Sequence, residues 1–222
     1  MSVTSEHAIE LLYQHLEWLA INKPVGIGMH SEDGVAGLVV QCEQQFLQKL
    51  WPVHRLDKVT SGILLLARSA EAAAKLGQLF EQHQIQKYYL AKASGKPAKK
   101  QGLIKGDMVK TRNGCWKLTR SQENPAVTRF VSHFDESSGQ RGYLLAPKTG
   151  RTHQLRVALK SLGTAIDGDT RYKGAPASRT FLHAYAVVFE YNGAPHRLLC
   201  APSETEHWPA LPDAWQSPWN LL

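Results

Sequence analysis

Long apolar stretches are absent from this 222-residue sequence. The longest strictly apolar run, residues 63–67, has five residues, whereas a membrane-spanning helix needs about 20. The opening MSVTSEHAIELL has no basic start ahead of an apolar segment and carries Glu6 and Glu10, so no secretory leader is expected there. Cysteine is scarce. Cys42, Cys115 and Cys200 are odd in number and far apart. They fit neither a disulfide framework nor a zinc spacing, and they suit a reducing, cytoplasmic compartment. Internal repeats and low-complexity tracts are missing too. With 43% hydrophobic and 20% charged residues, the chain is neither disordered nor fibrous, and it is long enough for one globular domain with a real core.

Acid is short in the middle of the chain. Lys and Arg number 26 against 19 Asp and Glu, a net charge of +7. Residues 87–129 hold eleven bases against only Asp107 and Glu123, while residues 1–22 and 198–222 each carry three acids and no Lys or Arg. A basic centre between acidic ends suits a polyanionic partner, most simply nucleic acid. The same charge also describes a solvated basic surface.

Apolar residues at 35, 38, 39, 42, 46, 47 and 50 predict a helix over 35–50. Ser69 is a cap for a second helix reaching about 84, with Glu71 in its first turn, and Thr152 for a third reaching about 162, stopped by Gly163. Strands are expected at 88–93, 115–119, 127–133 and 143–146. FLHAYAVVFEY and HRLLC flank Asn192-Gly193, a hairpin signal whose register Pro195 leaves open. Strands next to one another with irregularly placed helices indicate an α+β class dominated by antiparallel pairing. A soft boundary is expected in GKPAKKQG at 95–102. The Trp- and Pro-rich tail at 206–222 is expected to pack back as an irregular cover.

The segment WPVHRLDKVTSGILLLARS reads as a strand, a polar loop and a buried strand. Asp57 is the only acid between Phe46 and Ala70, and His54, Arg55 and Lys58 surround it. Nearby positive charge holds such a carboxylate ionised. A loop backed by a buried strand can position it for catalysis. Composition alone reads the same loop as an ordinary surface ion-pair loop.

His54, Arg55, Leu56, Asp57, Thr60, Ser61 and Gly62, running into an apolar strand, resemble the signature of the RluA-type pseudouridine synthases. Asn22, Lys23, Pro24 and Gly26 resemble that family's early NKP-x-G segment. Lys87, Tyr89, Leu90 and Ala91 resemble its K-x-Y-L-A strand, and GRTHQLR at 150–156, followed by Gly168, Asp169 and Tyr172, its third motif. Leu182, His183 and Ala184 are similar to its LHA segment. The resemblance spans about residues 9–205.

It implies a pseudouridine synthase-like fold, a mixed and mainly antiparallel sheet with flanking helices and a central catalytic cleft. It also implies one catalytic domain over 1–222 with no separate S4-type RNA-binding domain. The implied activity detaches uracil from C1′ of a uridine in structured ribosomal or transfer RNA and rejoins it through C5. Asp57 is the implied nucleophile, and an ionised carboxylate is what such a step requires. Addition to C1′ and abstraction of a sugar proton both remain open. Tyr89 is the implied active-site tyrosine, with Tyr88 pointing to the opposite face of the strand. Arg151 is implied to pair with Asp57, keeping it anionic and aimed. The target nucleotide must be flipped out, and the resemblance implies that Arg55 fills the space it leaves; otherwise Arg55 binds phosphate. His54, Arg55, Lys58, Thr60, Lys87 and Arg156 are the candidate RNA contacts. No cofactor, metal, membrane or obligatory protein partner is expected, and a monomer is the default.

The chain departs from the family pattern at Ala158, where a histidine is usual, and at Glu190-Tyr191, where His-Pro often follows. Three rivals stand beside this reading. An N-glycoside hydrolase would draw a second carboxylate from Asp167 or Asp169. A non-catalytic RNA-binding protein would not need Asp57. A metal enzyme would use His153, His183, Asp167 and Asp169, which lack a recognised ligand spacing.

Overall fold

The computed structural model describes residues 8–32 and 34–222; the leader reading at 1–7 lies outside the described residues. The chain divides into two compact units, Met1–Gln84 and Ile85–Leu222. Each is mixed α and β with antiparallel ladders. Among the described residues no helix is long and apolar enough to cross a membrane.

The first unit contains β1 (Glu10–Gln14), β2 (Trp18–Lys23), α1 (Leu38–Phe46), β3 (Trp51–Pro52), β4 (Ser61–Ala67) and α2 (Ala70–Glu81). β2 lies between β1 and β4, running from Trp18 opposite Ala67 to Lys23 opposite Gly62. Every residue of β4 is buried, as its continuous apolar run requires. α1 is shorter than the predicted 35–50 for two reasons. Gly37 passes so close to another segment that a Cβ there would lie 2.4 Å from the His30 carbonyl carbon. Leu47 then takes a left-handed φ of 52° and stops the helix. α2 starts as predicted, with the Ser69 hydroxyl accepting the Ala72 N–H at 3.1 Å.

The second unit contains β5 (Gln86–Lys92), β6 (Gln101–Gly106), β7 (Met108–Lys110), β8 (Trp116–Leu118), β9 (Ala126–Asp135), β10 (Gln140–Pro147), α3 (Gln154–Ser161), β11 (Leu182–Tyr191) and β12 (Ala194–Leu199). Its strands run in the order β12-β11-β5-β10-β9-β6, and β7 and β8 form a separate small hairpin. The loop at 95–102 therefore lies inside this unit, joining β5 to β6, and the division of the chain falls at Gln84 instead. Asn192 and Gly193 both take positive φ, 51° and 79°. This gives the turn that places Tyr191 opposite Ala194. Pro195 is tolerated opposite Glu190 because β12 pairs only with β11 among the described strands.

Thr152 does not cap α3. His153 precedes the helix in a left-handed conformation, with φ 58°, and makes no side-chain cap. The buried side chain of Gln154 turns back instead, its Oε1 accepting the Arg151 N–H at 2.9 Å and the Thr149 hydroxyl at 2.7 Å. Its Nε2 donates to Thr128 Oγ1 at 3.0 Å and to the Val127 carbonyl at 3.1 Å, so all four hydrogen bonds of the amide are used. α3 thereby covers the sheet face that carries Thr128, Phe130 and Tyr143.

The tail covers the opposite face in short 3-10 turns at Thr205–His207, Asp213–Gln216 and Pro218–Asn220. Trp208 and Trp215 are buried. Gly142 lets the tail approach, since a Cβ there would lie 3.1 Å from Pro209 Cγ. Two polar anchors fix the tail. Lys92 Nζ donates to the His207 carbonyl at 2.7 Å and sits 3.7 Å from the Phe181 ring centroid. Asp135 Oδ2 accepts the Ala210 N–H at 3.0 Å. The Ser137 and Ser138 hydroxyls, the Ala210 N–H and the Ser137 N–H all donate to the Asp135 carboxylate, holding its pKa well below the usual range.

Candidate active site

In the first unit, Asp57 opens the turn between β3 and β4. The Thr60 N–H donates to the Asp57 carbonyl at 2.9 Å, and the Gly26 N–H to the Lys58 carbonyl at 2.8 Å. Gly62 follows with a φ of 106°, which favours glycine. Under this turn lies Lys23, 0% exposed at the end of β2. Its ammonium donates to the Thr60 carbonyl at 2.8 Å and the Pro24 carbonyl at 3.0 Å, with a longer contact of 3.4 Å to the Lys58 carbonyl. A buried cation is costly unless its donors are used, and here they grip the backbone on both sides of Val59. Asp57 is half-buried, Arg55 and Lys58 are exposed, and Leu56 is buried. The polar loop is thus pinned from below by a charge and backed by an apolar strand.

His54 serves this scaffold. Its Nε2 accepts the Leu65 N–H at 2.8 Å, and its ring stacks on Phe80 with centroids 4.4 Å apart.

In the second unit, Tyr88 and Tyr89 alternate across β5. Tyr88 is 1% exposed, and its hydroxyl donates to Gln86 Oε1 at 3.0 Å. Tyr89 is half-buried on the other face, opposite Leu145 of β10 and the small Ala184 of β11. The K-x-Y-L-A and LHA segments are therefore neighbouring strands, with Leu182 opposite Ala91. The Lys87 ammonium lies beside Gly150, 4.0 Å from where a Cβ would stand. Burial pulls its pKa below the ordinary lysine value.

The segment before α3 is held by three side chains. Gln154 fixes the Arg151 backbone, as described above. The exposed Arg151 guanidinium donates from Nη2 to Asn124 Oδ1. His153 Nδ1 lies 2.8 Å from the Tyr172 hydroxyl. That hydroxyl also accepts the Trp116 N–H from β8 at 3.1 Å, and burial raises its pKa. Arg156 is buried and forks onto Asp169, with Nε to Oδ2 at 2.7 Å and Nη2 to Oδ1 at 2.8 Å. The side chains of the pair are 6% and 1% exposed.

Three residues read as RNA contacts are also engaged inside the fold. His54 accepts a backbone N–H, Thr60 is 2% exposed, and Arg156 spends its fork on Asp169. Arg55 and Lys58 stay exposed, and Lys87 is half-buried.

The residues drawn into the rival readings also have other partners. Asp167 accepts the Ser94 N–H at 2.8 Å and its hydroxyl at 3.1 Å, and Asp169 holds Arg156. His183 Nε2 lies 2.9 Å from the Cys200 carbonyl, and desolvation depresses its pKa to about 4.

Lys23, Gln154 and Tyr172 stand in the sequence motifs with no role marked for them, and Asp169 with a role only in the rival readings. A lysine closing the otherwise buried strand WLAINK was the available signal for the first. Nothing in the sequence marked Asn124.

The profile of a family described as RNA pseudouridylate synthase matches residues 17–161. An "Uncharacterized RNA pseudouridine synthase" of Haemophilus influenzae is 48% identical over 203 residues, covering 90% of each chain. A "Ribosomal large subunit pseudouridine synthase C" of Rickettsia bellii is 34% identical over 84% of this chain and 64% of its own. A "tRNA pseudouridine synthase C" of Haemophilus ducreyi is 29% identical over 91% of this chain and 94% of its own. Among solved structures, "Human RNA Pseudouridylate Synthase Domain Containing 1" superposes with a TM-score of 0.79 at 21% identity. The superposition covers 100% of this chain and 97% of the human one, a likeness of fold.

Proposed function

The chain belongs to the RNA pseudouridylate synthase family and is an RNA pseudouridine synthase; from that premise we propose that Asp57 is its nucleophile, acting on a flipped-out uridine in a stem-loop of ribosomal or transfer RNA. The reaction is an isomerisation. The bond from uracil N1 to C1′ breaks and a bond from C5 to C1′ forms. The C5 proton leaves and N1 takes one up, so the RNA keeps its composition. An anion at C1′ is the group such a reaction needs. In this reading Tyr89 stacks on the base and helps remove the C5 proton, while Arg151 is the guanidinium partner that keeps Asp57 charged.

The observation that carries the reading is the Lys23 clamp on the Thr60 and Pro24 carbonyls. It fixes the loop in which His54, Arg55 and Lys58 flank Asp57, inside the segment the family profile matches. The carboxylates that a hydrolase would recruit, Asp167 and Asp169, are buried in other contacts. Arg55, Lys58 and the basic segment 87–129 are read as the phosphate grip, whose binding weakens as salt rises. The relatives named for ribosomal and transfer RNA support a structured RNA substrate. We place the protein in the cytoplasm, working as a monomer and without a cofactor. Chemical mapping of pseudouridine in total RNA from cells with and without the protein tests this reading. A site lost with the protein and restored with it is the expected result. An unchanged map would oppose the reading, and release of free uracil would favour hydrolysis.

A further inference from the structure

The short hairpin of β7 and β8 is strongly basic. Residues 108–122 contain Lys110, Arg112, Lys117 and Arg120, all exposed, and no acid. The base of this hairpin is tied off by Asp107. The Asp107 N–H donates to the Ser121 carbonyl at 2.9 Å, and its own carbonyl accepts the Thr119 N–H at 2.8 Å. Its carboxylate accepts the Glu123 N–H at 3.1 Å and the Asn124 N–H at 2.9 Å. Asn124, fixed in this way through its backbone, turns its side-chain oxygen to the Arg151 guanidinium. Against the upward push of desolvation, hydrogen bonds from the Ser121 side chain and the Asn124 and Glu123 N–H groups hold the Asp107 pKa below its ordinary value, with a smaller contribution from the Arg151 charge.

Arg151 is exposed, and its long side chain has many rotamers to choose from. Gln154 fixes only its backbone. The only polar side chain that meets the guanidinium in a hydrogen bond among the described residues is Asn124. We propose that Asn124, held by Asp107 at the base of the basic hairpin, is a positioning residue that sets the direction of the Arg151 guanidinium during catalysis. The carbonyl oxygen occupies one Nη2 donor and leaves the remaining donors of the fork for a carboxylate. The same short turn joins the strand pair that carries the phosphate-gripping cations to the arginine of the reaction. Binding charge and catalytic charge are therefore mechanically connected but separable by mutation.

This inference rests on the role proposed for Arg151, and its test separates the two. The full-length protein is used in excess over total RNA from cells lacking it. Pseudouridine formed is followed at varied enzyme concentration, giving a rate at saturation and a half-saturating concentration. Asn124→Ala should lower the saturating rate about tenfold, leaving half-saturation within about twofold and the melting temperature unchanged. Asn124→Asp, which keeps an acceptor oxygen in place, should restore the rate to within about twofold of wild type. Combined with Arg151→Met, Asn124→Ala should cause no further loss. Lys110→Gln with Arg112→Gln should weaken half-saturation, with a shallower salt dependence. An Asn124→Ala enzyme as fast as wild type would overturn the inference alone. So would a double variant slower than Arg151→Met. Wild-type protein that forms no pseudouridine would overturn the function reading and this inference with it.

Discussion

Replacing Lys23 with Met removes the charge beneath the Asp57 turn while keeping a side chain of similar length. The ammonium makes two short hydrogen bonds, to the Thr60 carbonyl at 2.8 Å and the Pro24 carbonyl at 3.0 Å, and is 0% exposed. A hydrogen bond to a charged group contributes roughly 1.5–3 kcal/mol, and a buried carbonyl left without a donor costs about 1–3 kcal/mol. Against this, a neutral thioether is far cheaper to bury than an ammonium. The balance is a net loss of about 3 kcal/mol. For a chain of this size each kcal/mol moves the melting temperature by about 2–4 °C, so a fall of about 6–12 °C is expected. Differential scanning calorimetry of the full-length variant beside wild type measures it. The saturating rate of pseudouridine formation should fall as well, because the freed turn carries Asp57. A Lys23→Met protein melting within about 2 °C of wild type would refute the clamp as the support of the loop.

Two further outcomes follow from buried charges and a buried imidazole. Arg156→Met leaves Asp169 ionisable at 1% side-chain exposure and should destabilise the protein by about 3–5 kcal/mol. Adding Asp169→Asn should recover part of that loss in the same denaturant titration, and a double variant as unstable as the single one would contradict the pairing. His183 has a folded pKa of about 4, below its ordinary 6.5. The unfolded chain therefore binds the proton first, and stability contributed by the neutral imidazole is full above about pH 6.5 and lost as pH falls towards 4. His183→Gln keeps a donor for the Cys200 carbonyl but does not titrate, so its stability should change less than wild type's between pH 6.5 and 4. Parallel pH profiles would remove His183 as a source of acid sensitivity.

Much of the frame is readable in the sequence because it rests on local rules. Ser69 caps α2, the apolar run 63–67 becomes a strand buried on both faces, and Asn192-Gly193 turns the β11–β12 hairpin. The misreadings arise where tertiary contact overrides the local signal. α1 is trimmed by the close approach of Gly37 to His30 and by the left-handed Leu47. The expected Thr152 cap is displaced by a glutamine side chain whose partners lie on β9. β1 and β6 escape a period-of-two search. The first is exposed at nearly every position, and the second begins beside a Gly- and Lys-rich loop. In the site, the motif residues were visible but their division of labour was not. Lys23 reaches the Thr60 carbonyl, Gln154 the Thr128 hydroxyl and Asp169 the Arg156 guanidinium across 37, 26 and 13 residues. The same distance hides the internal engagement of Arg156. A sequence shows an arginine as a free cation unless its buried partner is known.

The most direct measurement of the central claim compares Asp57→Asn with wild type on total RNA from cells lacking the protein. Pseudouridine is scored by chemical mapping, and binding of the same RNA by gel shift. Wild type should restore the missing site. The asparagine variant should bind within about twofold of wild type, since one loop side chain carries little of the phosphate grip, yet restore nothing. An asparagine variant that forms pseudouridine at the wild-type rate would contradict Asp57 as the nucleophile.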